Sequence, residues 1–575
     1  MKKIVCLLLA LLMFVSLFAA CGTKTEEAAA ETTEEAATTE TTETTEEAAT
    51  EETSSVAVEA GATMIRTTQD WPTYYDPGVG SSYSCSTSQT NIYDPLYFPQ
   101  ADGSIIPWLA TDMPVVSEDA MTYTITIKEG VKFHSGNEMK ASDVAYSMNR
   151  MLAIGEGYAY LYQGVVETAT AIDDYTVEFK LSAPFGPFTN TLIRFMIVEE
   201  ALVREHYNTE DNTYGDECDY GKTWMLTNDA GSGPYKTVEF KLDEYLLAEK
   251  FDDYFQGWEE KPNAPQYFKI SNMTDAVAVR TAVANDELEI TDELQPLENY
   301  ETMDAMEGVD LSAFQNGNTF NMMLNTKATY TDDIHLRKAI ALCFDYETVR
   351  TSIYPGALPA YGPVPTILPG FNADIPTYER DVEAAKAELA QSKYAGEEIV
   401  LQLTWCAEVP EQEKIALLLQ ANLQEIGIGL EITSKPFGSM ITDAQSVETT
   451  PQVSFVNFAS PYFEAGGILK TRYHSGSCGT WENMEWLQDA ELDAMIEDAL
   501  ATVDQEERFA KYAEIQQYIY DLCPTVWGFS WIEKRAVLSD RVTWGAYEAT
   551  VNGTDFFMPM GYAIYCRDIE VQPAG

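Results

Sequence analysis

Basic residues are scarce in this chain. Lysine and arginine number 35 against 92 aspartates and glutamates, giving a formal charge of −57, and there are 4 histidines. A surface this acidic repels phosphate backbones and anionic headgroups, which argues against a nucleic-acid partner and against electrostatic adsorption to membranes. After residue 20 no long apolar run occurs, so no spanning helix is expected in the body of the chain. The 9 cysteines form no CxxC pair, and their wide spacing excludes a structural zinc site. A phosphate-cradling G-x-x-x-x-G-K-[ST] pattern is missing. Ser475-Gly476-Ser477-Cys478-Gly479 lacks the G-x-S-x-G spacing of a nucleophile turn. His134, His206, His335 and His474 are scattered singly. No catalytic constellation is legible, so no enzyme, cofactor or metal centre is expected.

Aromatic residues are also absent from residues 23–60, which are almost wholly Thr, Glu and Ala. Such a stretch buries too little apolar surface to offset its ordering entropy, and its like charges extend it; a disordered tether is expected. Ahead of it, Met1-Lys2-Lys3 gives a basic start, followed by an apolar stretch of about 15 residues, shorter than the ~20 a spanning helix needs. Ala19-Ala20-Cys21-Gly22 then resembles a bacterial lipobox, with Phe18 where leucine is usual. That likeness implies a signal peptide at 1–20, lipid on Cys21, a tether at 21–60 and a body held outside the cytoplasmic membrane by the lipid alone.

The body exceeds about 500 residues, more than one hydrophobic core supports, so two or more lobes are expected. Thr122-Tyr123-Thr124-Ile125-Thr126-Ile127 alternates polar and apolar, the period of a half-buried strand. Gly130 turns the chain, and Val131-Lys132-Phe133 starts an expected partner strand. Ser142 is placed to cap a helix carrying Ala145, Met148 and Leu152 on one face. Val177, Phe179 and Leu181 alternate again. In the second half, Asp333 caps an apolar stripe of Leu336, Ile340, Cys343 and Phe344, and Asp381 caps residues 382–391. A helix at 411–426 stops at Gly427, and helices are expected at 492–500 and 506–522. Strands at 399–403 and 430–432 alternate with these helices, so the fold class is α/β.

Several signatures then fall in one order. Pro107-Trp108-Leu109-Ala110, the run from Tyr123 to Gly136, Ala141-Ser142-Asp143-Val144-Ala145-Tyr146-Ser147, Gly231-Ser232-Gly233-Pro234-Tyr235, Phe251-Asp252-Asp253-Tyr254-Phe255 and Asn325-Thr326-Lys327 with Asp333 to Ile340 resemble family 5 extracellular solute-binding proteins. These are peptide- and nickel-binding components of ATP-driven (ABC) importers. The resemblance implies a two-lobed, type II periplasmic-binding-protein-like fold with an extra domain inserted in the first lobe. Lobe I would comprise 61–92, 176–313 and 530–575, the inserted domain 93–175, and lobe II 314–529, with crossings near 314–320 and 525–529. It also implies a small solute, a peptide in this reading, with a permease and its ATPase as partners, and a monomer. A non-peptide solute (oligosaccharide, metal chelate or haem) or a pheromone-type sensor using the same cleft remains open.

The same likeness places the ligand. Asn457 stands where family peptide binders carry an aspartate for the ligand's amino group, and Ser460 where a second acid is usual; Glu464 or Glu408 could supply the missing charge. Phe437 matches a ligand-contacting tryptophan; Trp405 ends a strand, Phe455 and Phe458 flank Asn457, and Trp527 lies on the return crossing. From the first lobe, the loop holding Tyr83 and Ser88 matches an inward-facing one, and Tyr158 and Tyr160 sit in a glycine-flanked loop of the inserted domain. Aromatic faces suit a variable ligand. Plain core packing is the competing role for each.

Overall fold

The alternating run at Thr122–Thr126 does form a strand, but its partner is not the one expected. Gly130 and Gly136 both take left-handed conformations, and the turns they make leave 131–135 only an isolated bridge, Lys132 to Glu138. Thr122–Thr126 pairs instead with Thr176–Leu181, aligning Tyr123 with Phe179 and Ile125 with Val177. Val115–Val116 and Val166–Ala171 complete this antiparallel four-stranded sheet. The boundary expected at residue 175 therefore falls between two paired strands, and the sheet runs on to Leu181. The helix Ala141–Ile154 covers it. Lys140, not Ser142, is the capping residue: the Asp143 carboxylate accepts from the Lys140 backbone N–H at 2.8 Å, and Gly155 at φ 73 ends the helix.

These are features of a computed structural model that describes residues 58–59, 61–69, 75–242, 244–273 and 275–573. The signal peptide, Cys21 and the tether lie outside the described residues. All those described belong to one compact unit, Val56–Gly575. Among the described residues no helix is long and apolar enough to cross a membrane, and none of the seven cysteines is paired.

A second four-stranded sheet runs Met64–Gln69, Tyr267–Asn272, Tyr245–Lys250, Tyr235–Lys241, with the first pair parallel. The third sheet has five strands in the order Ile428–Lys435, Ile399–Cys406, Val453–Phe458, Val309–Leu324, Thr525–Leu538. Its first three strands are parallel and its last two antiparallel. Ile399, Leu401 and Leu403 point inward against Ile415, Leu419 and Leu423 of the helix Glu411–Glu425, while Val400 and Gln402 face out. Gly427, left-handed at φ 81, stops that helix as expected. The expected caps also form: Asp333 accepts from Leu336 N at 3.0 Å and Asp381 from Ala384 N at 2.9 Å, each stabilising by about 1 kcal/mol. The late helices are Ala490–Ala501 and Gln505–Leu522.

Two long strands explain the two-lobed shape. Val309 and Phe314, with Ala536, Val537 and Leu538, join the core built on Ile65 and Phe268. Further along the same strands, Phe320, Met322 and Leu324, with Val526 and Phe529, join the core built on Leu401 and Leu419. Between these ends the pairing register shifts, at Gln315/Thr319, around the left-handed Gly317. On the return strand the shift spans Ser530 to Ile532, because Val526 and Phe529 already belong to the second core. A third cluster packs the inserted sheet (Tyr123, Phe179) in one core with the late helix pair (Ile496, Tyr512).

Candidate functional site

Three parallel strands end side by side at Cys406, Lys435 and Phe458. The carboxyl edge of a parallel α/β sheet is where loops diverge and leave a crevice. Glu408 stands just beyond the first strand. Both its oxygens accept from the backbone N–H of Phe437, at 3.2 and 3.0 Å, where the short helix Phe437–Asp443 begins. The Cys406 thiol donates to Glu408 at 3.2 Å, and burial together with that bond pushes Cys406 up to about 12. Glu408 is exposed, and no cation among the described residues pairs with it.

Beside Glu408 lies a narrow cavity of about 60 Å³, partly open to solvent. Its walls come from four distant segments: Glu293 and Tyr300, Tyr354, Glu408 itself, and Phe529 with Trp531. The rings of Phe529 and Trp531 each lie 4.8 Å from that of Tyr354. The Tyr354 hydroxyl is buried without a partner. Lys534 also lines the space; its ammonium donates to Pro355 O at 2.8 Å, and burial lowers its pKa. Glu293 is already bound by Arg535 at 2.6 Å, which leaves Glu408 and Glu411 as the lining carboxylates without an ion pair among the described residues, Glu408 the more exposed of the two.

The residues singled out from sequence divide into two groups. Phe437 and Phe458 stand near the strand ends and share Trp481, whose ring is 5.2 Å from the first and 5.7 Å from the second. Asn457 is half-buried on the edge of the strand Val453–Phe458, and its side-chain carbonyl oxygen has no hydrogen-bond partner. Tyr160 is 44% exposed beside a second cavity. The others pack. Phe455 is wholly buried 4.9 Å from Phe320, and Trp405 belongs to the same core. Trp527 donates to the Tyr473 hydroxyl at 3.0 Å and stacks 5.6 Å from Tyr378, deep in the interior. Tyr158 is buried and shares a hydrogen bond with Ser86 at 2.8 Å.

Two further expectations need correcting. The segment from Tyr83 is not a loop but the helix Tyr83–Ile92, because Ser82 caps it by accepting from Cys85 N at 3.3 Å; Ser88 is wholly buried on it. Tyr158 and Tyr160 likewise sit on the 3-10 turn Gly157–Leu161. Glu464 is unavailable to a solute: it is fully buried, and Arg508 binds it at 2.7 and 2.9 Å. Sequence reading passed over Tyr354, Trp531 and Arg194. The first two are brought to the cavity only by the fold. Arg194 did carry a signal, a lone charge inside Leu192-Ile193-Arg194-Phe195-Met196-Ile197.

A family model described as bacterial extracellular solute-binding proteins, family 5 Middle, matches residues 104–479. The chain is 25% identical over 410 residues to a probable D,D-dipeptide-binding periplasmic protein of Escherichia coli, covering 70% of this chain and 75% of that one. Among solved structures, an ABC transporter substrate-binding protein of Listeria monocytogenes superposes with a TM-score of 0.75 at 22% identity, covering 89% of this chain and 99% of that chain. An ABC transporter-associated periplasmic binding protein of Helicobacter pylori, in complex with a peptide, does so with a TM-score of 0.72 at 21% identity, covering 89% and 99%.

Proposed function

Because the chain belongs to the bacterial extracellular solute-binding proteins of family 5, we propose that it captures a short peptide or peptide-like solute between its lobes and delivers it unaltered to the permease of an ATP-driven importer. The observation that carries the peptide reading is the cavity beside Glu408. Its aromatic walls accept a variable chain, and an exposed carboxylate without a cation faces the mouth. An α-ammonium group is the complementary charge, and such a charge-assisted hydrogen bond contributes about 1.5–3 kcal/mol. The dipeptide-binding relative in Escherichia coli and the peptide-bound Helicobacter pylori structure support the same class of solute.

No chemistry is assigned to the protein. The four histidines are tied to structural partners: His134 to Asp229, His206 to Leu202 O, His335 to Glu388 and His474 to Glu497. The long strands Val309–Leu324 and Thr525–Leu538 serve as the hinge, with lobe II at 314–529, lobe I at 61–92, 182–313 and 530–575, and the inserted domain carried on to Leu181. Closure about two such crossings is a hinge motion on the μs–ms scale. Lipid on Cys21 and the tether at 21–60 keep the receptor, a monomer, near its permease.

The test is calorimetric titration with alanine tripeptide and its N-acetylated counterpart. The free amine should bind at least about tenfold more tightly, and Glu408→Gln should remove that difference. Binding of neither peptide, with an oligosaccharide, haem or metal chelate bound instead, rejects the peptide reading.

A further inference from the structure

A second cavity opens between the inserted domain and the second lobe. Its volume is about 390 Å³, between Tyr160 and Phe185 on one side and Tyr462, Lys470 and His474 on the other. Its polar groups are unusual for so acidic a chain. Lys470 is half-buried on the helix Ala465–Tyr473, its ammonium 5.5 Å from the centre of the Phe185 ring. No carboxylate among the described residues lies within ion-pair reach of it. Tyr462 is 3% exposed, and its hydroxyl has no partner.

A second unpartnered donor stands behind the wall. Tyr160's ring is 6.3 Å from that of Tyr158, and the Arg194 guanidinium lies 5.1 Å over Tyr158. Arg194 is 2% exposed. Its Nε donates to Pro461 O at 2.9 Å and its Nη1 to Met560 O at 2.7 Å, while Nη2 has no acceptor. No acid among the described residues pairs with it. The remaining ionisable side chains on the cavity are accounted for. His474 faces Glu497 at 3.2 Å and accepts from Gly476 N, and Glu482 lines the far rim beyond ion-pair reach of Lys470.

A buried hydroxyl with no partner and a half-buried ammonium with no acid beside it are poorly compensated until an acceptor arrives. We propose that this cavity receives a carboxylate of the solute, bound by Lys470 Nζ and the Tyr462 hydroxyl, with Arg194 supplying a fixed positive field from behind Tyr158. Burial unrelieved by any acid holds the Lys470 pKa below the usual lysine range, and an incoming carboxylate would relieve it. The inference rests on the solute-capture reading above and adds the polarity of the captured molecule: an anionic end here, a cationic end at Glu408.

The experiment titrates the protein with alanine tripeptide, its C-terminal amide, and that amide carrying one glutamate side chain. The free acid should bind at least about tenfold more tightly than the amide. Lys470→Met should bring acid and amide to equal affinity, Lys470→Arg should preserve the difference, and Tyr462→Phe should reduce it. Recovery of affinity by the glutamyl amide identifies a side-chain carboxylate as an acceptable source. Equal binding of acid and amide by the unaltered protein, or a preference that survives Lys470→Met, overturns the carboxylate site while leaving the peptide reading intact. Binding of none of the three overturns both.

Discussion

Glu464 and Glu408 were both candidates for the solute's cationic partner, and the structure gives them opposite roles that one experiment separates. Glu464 Oε1 accepts from Arg508 Nε at 2.7 Å and the Tyr512 hydroxyl at 2.7 Å; Oε2 accepts from Arg508 Nη2 at 2.9 Å and Asn190 Nδ2 at 2.8 Å. Glu464→Gln keeps the shape but removes the charge, and it turns one acceptor into a donor facing Arg508 or Asn190. A buried guanidinium left uncompensated costs about 3–5 kcal/mol, or two to four decades in the unfolding constant, at roughly 1.4 kcal/mol per decade. Glu408→Gln removes an exposed charge and keeps one oxygen to accept from Phe437 N, so its effect on stability should stay within about 1 kcal/mol. The assay is urea unfolding followed by tryptophan fluorescence, paired with titration of the free-amine and N-acetylated tripeptides. Glu464→Gln should shift the midpoint strongly and leave the amine preference of the folded fraction unchanged; Glu408→Gln should do the reverse. A Glu464→Gln protein that loses less than about 1 kcal/mol and yet no longer discriminates the amine would refute the assignment.

Other outcomes follow from single sites. His134 donates from Nδ1 to Asp229 at 2.7 Å and from Nε2 to Gly233 O at 2.9 Å, which requires the imidazolium. Burial opposes that charge, but Asp229 outweighs it and raises the His134 pKa. Its contribution is therefore full below the unfolded value of ~6.5 and is lost as pH rises through the higher folded pKa; unfolding curves of His134→Gln and the unaltered protein should converge above that pH, and a constant gap would exclude the linkage. Gly231→Ala puts a methyl group into the Ile92 carbonyl, a backbone collision that should cost at least 1–3 kcal/mol, roughly; an unchanged thermal midpoint would show the backbone yields. Asn457→Asp adds a charge where a buried acceptor has no partner, and it should strengthen binding of free-amine peptides if that oxygen faces the solute; calorimetry showing no gain removes Asn457 from the site.

Much of the fold was legible because local and tertiary preferences agree. Asp333, Asp381 and Gly427 mark helix ends through backbone bonds that need no distant partner. Thr122–Thr126 was legible as a strand, yet its pairing was not: the contest between residues 131–133 and the distant Thr176–Leu181 is decided by two left-handed glycines and by the aromatic pair Tyr123 and Phe179. The glycine-rich motif at 231–233 has a physical content visible only in the fold. Both glycines press against the Ile92 carbonyl, and Ser232 donates to the buried Asp94 at 2.8 Å. The candidate site was less legible. Trp405, Phe455 and Trp527 have the composition of a cleft wall, but burial sends them to the core, and nothing in a linear sequence tells the two faces of a sheet apart.

The distribution of buried charge connects these observations. Arg150 is held by Asp76, Arg472 by Glu485, Arg508 by Glu464, and Arg535 by Glu533 and Glu293. With 92 acids for 35 bases, a carboxylate is available wherever a buried cation needs one. Arg337 has no acid, but its three donor groups reach the carbonyls of Cys523, Thr331 and Leu522, so it leaves nothing unmet. Arg194 and Lys470 differ from all of these: each lies where the inserted domain meets the second lobe, neither has an ion-pair partner among the described residues, and Arg194 Nη2 is buried without an acceptor. The acids of that junction are not available to them: Glu482 lies beyond ion-pair reach of Lys470 and Glu464 is taken by Arg508, which keeps the position open for an acceptor the protein does not itself carry. Lys470 and Tyr462 both belong to the second lobe, so a solute carboxylate would dock there and meet the field of Arg194, on the other side, only in the closed arrangement; that difference is the differential affinity a hinge needs in order to respond to its ligand.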